Sequence, residues 1–124
     1  MITSLAANEI FVFGSNLAGH HAGGAARQAA ECFGATDGVG EGMTGHCYAF
    51  PTLGHQLERL PLQQLEASRD RLYSCCHNHP QLRFLLTKVG CGIAGYAEQA
   101  MQDLFQDPPR NLVLPHDWQQ AQAA

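Results

Sequence analysis

Ile10-Phe11-Val12-Phe13-Gly14-Ser15-Asn16-Leu17-Ala18-Gly19-His20-His21-Ala22-Gly23-Gly24 is a short apolar run that breaks into a glycine-rich stretch. Residues 23–33 then read as a helix, with Ala25, Ala26, Ala29, Ala30 and Phe33 sharing one face. Small alanines on that face let the helix lie close to a sheet. A buried strand over 9–13, a glycine loop and a helix together make the first half of a β-α-β unit. The loop has a chemistry as well as a shape. Backbone N–H groups at a helix N-terminus sit at the positive end of the helix dipole, and glycine lets a ligand approach them closely. That arrangement suits a phosphate.

The pattern occurs twice. Phe84-Leu85-Leu86-Thr87-Lys88-Val89 runs into Gly90-Cys91-Gly92-Ile93-Ala94-Gly95, and Tyr96, Ala97, Ala100, Met101, Leu104 and Phe105 mark a helix that Pro108-Pro109 stops. The apolar character of the strand over 82–89 predicts burial on both faces. Between the two units, Gly34 to Gly45 reads as a flexible loop and His46-Cys47-Tyr48-Ala49-Phe50 as a strand ended by Pro51. Leu62, Leu65, Leu72 and Cys76 mark a helix opening at Pro61 and closing before Pro80. Asn111-Leu112-Val113-Leu114 is a final strand, and the tail over 119–124 is expected to fray. The order β-α-β-α-β-α-β predicts a single α/β domain, 1–124 with its core at about 9–115. It is a three-layer sandwich with a largely parallel or mixed central sheet. Ligands in such sheets bind beyond the carboxyl ends of the strands, where both glycine loops fall.

Composition narrows the partners. A chain of 124 residues, 45% hydrophobic and 15% charged, can bury a core without staples. A formal net charge of −4, with Lys88 the single lysine, argues against nonspecific nucleic-acid binding, which rests on many cationic contacts. A phosphate here has to be held by backbone amides and a few side chains. No apolar run approaches the ~20 residues of a membrane-spanning helix, so no membrane partner is expected. Residues 1–8 lack the basic and apolar regions of a signal peptide. Five cysteines without framework spacing point to reduced thiols in a cytoplasmic protein.

Known phosphate chemistries fit the second loop unevenly. Gly90-Cys91-Gly92-Ile93-Ala94-Gly95 matches the dinucleotide pattern G-x-G-x-x-G, and Asp117 follows at the right distance, but only one strand remains where such a unit needs two. In a triphosphatase loop, Tyr96 and Ala97 would stand in place of the phosphate lysine and the magnesium-binding hydroxyl. A cysteine phosphatase wants a guanidinium soon after the loop, and no arginine occurs between Cys91 and Arg110.

Phe13-Gly14-Ser15-Asn16, Ala22-Gly23-Gly24-Ala25-Ala26, Gly40-Glu41-Gly42, Phe84-Leu85-Leu86-Thr87 and Gly90-Cys91-Gly92-Ile93-Ala94-Gly95-Tyr96 follow one another in macrodomain order. Over roughly residues 9–115 the chain resembles a compact macrodomain-like protein, of a kind found as small bacterial and phage proteins of undefined role. The resemblance implies an ADP-ribose or related nucleotide-diphosphate ligand. By it, Gly14, Ser15 and Asn16 approach the ligand, with Asn16 meeting the distal ribose. Gly23 and Gly24 lie near that ribose and the proximal phosphate. Gly90, Cys91, Gly92, Ile93, Ala94 and Gly95 wrap the diphosphate, and Tyr96 packs near the ribose. The chain departs from the family in its length, in His20-His21, and in lacking a clear counterpart of the acid that reads the adenine amino group.

Catalytic candidates are weighed against plainer roles. Lys88, in a strand, points to the same side as Gly90, and a buried lysine of depressed pKa could attack the ribose C1″ carbon; a snorkelling lysine is preferred. Glu41 on a glycine-flanked loop is a candidate general base or a solvated charge. His21, with His20, is expected in a solvated surface loop rather than in acid-base duty. Cys91 reads as a partly buried thiol. Cys75-Cys76-His77-Asn78-His79 carries ligand types, but adjacent cysteines on a helix diverge by about 100°, so neither a metal nor a cofactor is expected. Three readings stay open: an ADP-ribosyl hydrolase, a module capturing ADP-ribose or an ADP-ribosylated protein or nucleic acid, and an interaction domain whose glycines serve packing.

Overall fold

The opening apolar run is the centre of the molecule. In a computed structural model describing residues 2–123, with side chains through residue 119, it forms β1 (Glu9–Asn16). On one edge β1 pairs in parallel with β3 (Cys47–Leu53), Phe11 opposite Cys47 and Gly14 opposite Phe50. On the other edge it pairs in parallel with β4 (Arg83–Leu86), Ile10 opposite Phe84 and Val12 opposite Leu86. β4 pairs in parallel with β5 (Leu112–Val113), and β2 (Gly42–Thr44) runs antiparallel on the outer edge of β3. The sheet order is therefore β2-β3-β1-β4-β5, a mixed sheet that is mostly parallel.

Alternation along β1 sends successive side chains to opposite faces. Phe11 and Phe13 join Ala29 and Phe33 of α1 (Gly24–Cys32), together with Cys47 and Ala49. Ala29 is wholly buried and Ala25 and Ala26 pack against this cluster, as the alanine face of the sequence predicts. Ile10 and Val12 join the larger core. It holds Leu65, Leu72 and Cys76 of α2 (Leu62–Asn78), Met101 and Leu104 of α3 (Glu98–Leu104), and Trp118 of α4 (His116–Ala123). Among the described residues, one helix covers one face of the sheet and three cover the other. Among the described residues, no helix is long and apolar enough to cross a membrane.

Several local expectations change. The expected loop over 34–45 contains β2, and residues 119–123 of the expected tail lie in α4, while Ala124 falls outside the described residues. Pro51 does not end its strand. β3 continues to Leu53 because β2 pairs only as far as Ala49, so the missing N–H falls where that edge has no ladder to complete. β4 stops at Leu86, and Thr87 leaves the ladder with its N–H and its hydroxyl both donating to the Val12 carbonyl. Leu85, on the face that carries α1, is only half buried, which corrects the expectation of burial on both faces. α3 begins at Glu98, with Tyr96 and Ala97 ahead of it.

Loop 16–20 is locked against loop 34–45. Gly38 N–H donates to the Gly19 carbonyl at 2.9 Å, and Ser15 Oγ donates to the Gly40 carbonyl at 2.5 Å. Gly19 has φ +74, and a Cβ there would collide with the backbone of Gly38. Gly19→Ala should therefore cost about 2 kcal/mol or more in chemical denaturation. Gly92→Ala, outside the left-handed region and with open space beside it, should change stability by less than about 1 kcal/mol. Equal effects of the two substitutions would refute this account of the loop packing.

Candidate functional site

The connections after β1 and β4 leave the sheet in opposite directions, one to α1 on one face and the other to α3 on the other. Between adjacent parallel strands this opens a crevice at their carboxyl ends. Its volume is about 800 Å³, within the range of small-molecule sites. Gly14, Ser15, Asn16, Gly23 and Gly24 line one side and Gly90, Gly92, Ile93 and Ala94 the other, so the two glycine loops share one cavity. A third wall was not anticipated. It is the chain after β3, with Thr52, Leu53, His55, Gln56 and Leu57. Gly54 in the sequence marks a turn there, and a parallel strand beside β1 has to deliver its loop to the same end.

Both glycine loops present backbone donors. α1 is N-capped by Gly23, with no side-chain cap bond and no acid in its first turn. Arg27 N–H is bonded to the Gly23 carbonyl, whereas the N–H groups of Gly24, Ala25 and Ala26 meet no acceptor among the described residues. In the second loop, Cys91, Gly95 and Tyr96 N–H groups close internal turns onto Lys88, Gly92 and Gly90 carbonyls. Those turns leave the N–H groups of Gly92, Ile93 and Ala94 without an acceptor among the described residues. No aspartate or glutamate is among the described residues that line the crevice; Lys88, His20 and His55 are.

The glycines divide into two kinds. A Cβ on Gly40 would lie 2.5 Å from the Asn16 carbonyl oxygen, and one on Gly90 would lie 2.6 Å from Met101 Sδ. Packing accounts for these. Gly23 is extended, at φ −154, and a Cβ on Gly23 or Gly92 would meet nothing within 4 Å. Neither backbone strain nor packing calls for glycine at those two positions, and both face the crevice.

The other expected site residues take different places. Asn16 lines the crevice, but its side chain ties its own loop, Nδ2 donating to the His20 carbonyl at 2.9 Å and Oδ1 accepting from His20 N–H at 3.0 Å. Cys91, Gly95 and Tyr96 are not crevice-lining. Cys91 Sγ lies against the Val89 carbonyl, and burial pushes its thiol up. The Tyr96 hydroxyl donates to the Leu60 carbonyl, and the Arg59 guanidinium sits 4.6 Å from its ring centre. Glu41 is outside the crevice lining and forms a two-point ion pair with Arg71, at 2.8 and 3.1 Å.

His21 corrects the expectation of a solvated ring. It is buried, its ring 5.1 Å from Phe13 and its Nε2 3.1 Å from the Thr36 carbonyl, with Nδ1 buried and unpartnered. The cluster at 75–79 is likewise spent on structure. Cys76 is buried in the core, and His79 Nδ1 lies 2.8 Å from the Cys75 carbonyl. Among the described residues, no three His, Cys, Asp or Glu side chains are placed to hold a metal. Family models, curated proteins and solved structures yield no match to this chain.

Lys88 corrects the idea of a buried, neutral amine. Its Nζ is 2.7 Å from Asp117 and 3.2 Å from Glu98, and Trp118 Nε1 donates to the same Glu98 oxygen at 3.1 Å. The hydrogen bond to Asp117, then that to Glu98, pushes the Lys88 amine above its ordinary value. Glu98 is held below the usual carboxylate range by Trp118 first and Lys88 next, and Asp117 by Lys88. The lysine contribution is complete below its unfolded pKa and is lost as pH rises past the folded one. The carboxylate contributions are complete above their unfolded values and are lost as pH falls through the folded ones. Lys88→Met should thus lower Tm by about 1–3 °C near neutral pH. The difference should shrink below about pH 4 and in molar salt. A Tm difference unchanged by acid or salt would exclude these ion pairs as its source.

Proposed function

We propose that this protein binds ADP-ribose or a related nucleotide diphosphate, with the diphosphate lying between the start of α1 and the loop over 90–95. The observation that carries the reading is the open space beside Gly23 and Gly92, two glycines that neither φ nor packing explains, each set among free backbone donors of the crevice. Unbonded N–H groups on residues that line a pocket with no carboxylate among the described residues favour an anion. Two separate groups of donors favour one with more than one phosphate. The resemblance to macrodomains adds the ribose and the base.

The packing alternative accounts for Gly19, Gly40 and Gly90 but leaves Gly23 and Gly92 unexplained. The reading is one of binding. Hydrolysis of an ADP-ribosyl bond needs a group to activate water or attack the ribose. Glu41 and His21 are outside the crevice lining, and Lys88 lines it as an ion-paired ammonium.

ADP-ribose should raise Tm by several degrees when present at a hundredfold excess over its Kd, and inorganic phosphate should do so far less. Gly92→Val should keep the wild-type Tm within a few degrees and remove the ligand-induced rise, because its side chain occupies the open space. The proposal is abandoned if millimolar ADP-ribose leaves Tm unmoved, or if Gly92→Val binds as the wild type does.

A further inference from the structure

Three large apolar side chains stand exposed among the described residues, Leu57, Leu62 and Ile93, and two of them line the crevice. Ile93 is 88% exposed on the second glycine loop, and Leu57 is 56% exposed on the chain returning from β3. Leu57 also adopts φ +64, a left-handed conformation that suits glycine or asparagine and disfavours a branched side chain. Its own fold does not require a leucine there. The turn is closed by main-chain bonds, Leu57 N–H to the Gly54 carbonyl at 3.1 Å and Gly54 N–H to the Glu58 carbonyl at 2.8 Å, which any residue tolerating that φ would make.

The two lips are tied to each other. Arg59 leaves the same turn, donates from Nη1 to the Gly95 carbonyl at 3.4 Å, and lies over the Tyr96 ring. This strap links the segment carrying Leu57 to the loop carrying Ile93. Both apolar groups are thus presented on a braced opening, and the crevice has far more room than a diphosphate fills.

We infer that Leu57 and Ile93 grip the planar base of the bound nucleotide by apolar contact, so that the site tolerates different bases. The inference rests on the proposed function, since it takes a nucleotide diphosphate as the occupant. Tolerance follows from the lining. Among the described residues no carboxylate lines the cavity to accept a base amino group, the Asn16 amide is bonded to its own loop, and the Gln56 amide beside Leu57 carries both a donor and an acceptor, so it suits more than one base edge. Burying a base against two aliphatic side chains gains affinity without reading a hydrogen-bonding edge.

Titration calorimetry with ADP, GDP, UDP and pyrophosphate tests this on the wild type, Leu57→Gly and Ile93→Ser. The three nucleotides should bind the wild type within about fivefold of one another, and each roughly tenfold or more tighter than pyrophosphate. Each substitution should weaken the nucleotides roughly tenfold, and Leu57→Gly, which lies outside the donor loop, should leave pyrophosphate unchanged. Leu57→Gly should do so without lowering Tm, because it relieves the left-handed leucine. Nucleotide binding that survives both substitutions overturns the grip while leaving the proposed function standing, and so does a hundredfold preference for one base. Binding of pyrophosphate alone retains a phosphate site and overturns the grip. If neither nucleotides nor pyrophosphate bind, the proposed function falls and the inference falls with it. Loss of a wild-type dimer in Leu57→Gly or Ile93→Ser, seen by size-exclusion chromatography with light scattering, would assign the lips to a chain-chain contact instead.

Discussion

β1 is paired along both edges and buried on both faces, and the placement of every wall of the crevice depends on it. Its register with β3 brings Gly14 beside Phe50 and Ser15 beside Pro51, which sets the height of the third wall. Its register with β4 sets Val12 beside Leu86, which starts the second glycine loop level with Gly14. A slip of one residue would exchange Phe11 and Phe13 with Ile10 and Val12 between two differently shaped cores. Positioning of the donors is thus inherited from hydrophobic packing several residues below them.

The frame was readable because it is periodic. Apolar runs at 10–13 and 84–86, the alanine face of α1 and the spacing of Leu65, Leu72 and Cys76 each carry a pattern set by local geometry, and the elements formed where those patterns lie. The convergence of two glycine loops followed from parallel topology alone. What escaped was decided by contacts between distant segments. The wall at 52–57 is shaped by bonds such as Leu60 N–H to the Thr52 carbonyl at 3.0 Å, and Gly54 announces a turn there without announcing that it walls the crevice. His21 was expected in water because histidine in a glycine-rich loop usually is. It is buried because loop 34–45 folds over it and supplies the Thr36 carbonyl.

The partners of the charged side chains are hidden for a similar reason. Lys88, two residues before a glycine loop, invites a chemical role, yet its partners Glu98 and Asp117 come from the first turns of α3 and α4. Those acids favour the positive ends of their helices, and the lysine joins the two helices to the end of β4. Glu41 has the same fate, tied to Arg71 of α2, 30 residues along the chain. In both places a charge that looks available in the sequence is spent on holding elements in position, while uncharged backbone is left facing the crevice.

The lack of acids among the described residues of the crevice wall has a kinetic side. The chain as a whole carries a net charge of −4, yet none of its eleven Asp and Glu side chains is among the described residues that line this cavity. An anion diffusing toward the protein meets the long-range repulsion of that net charge, to which the described crevice lining adds no carboxylate. Added salt shortens the reach of that repulsion, with a Debye length of about 8 Å at physiological ionic strength. Association of an anion with this crevice would then quicken with moderate salt, the reverse of the behaviour of a basic phosphate-binding surface.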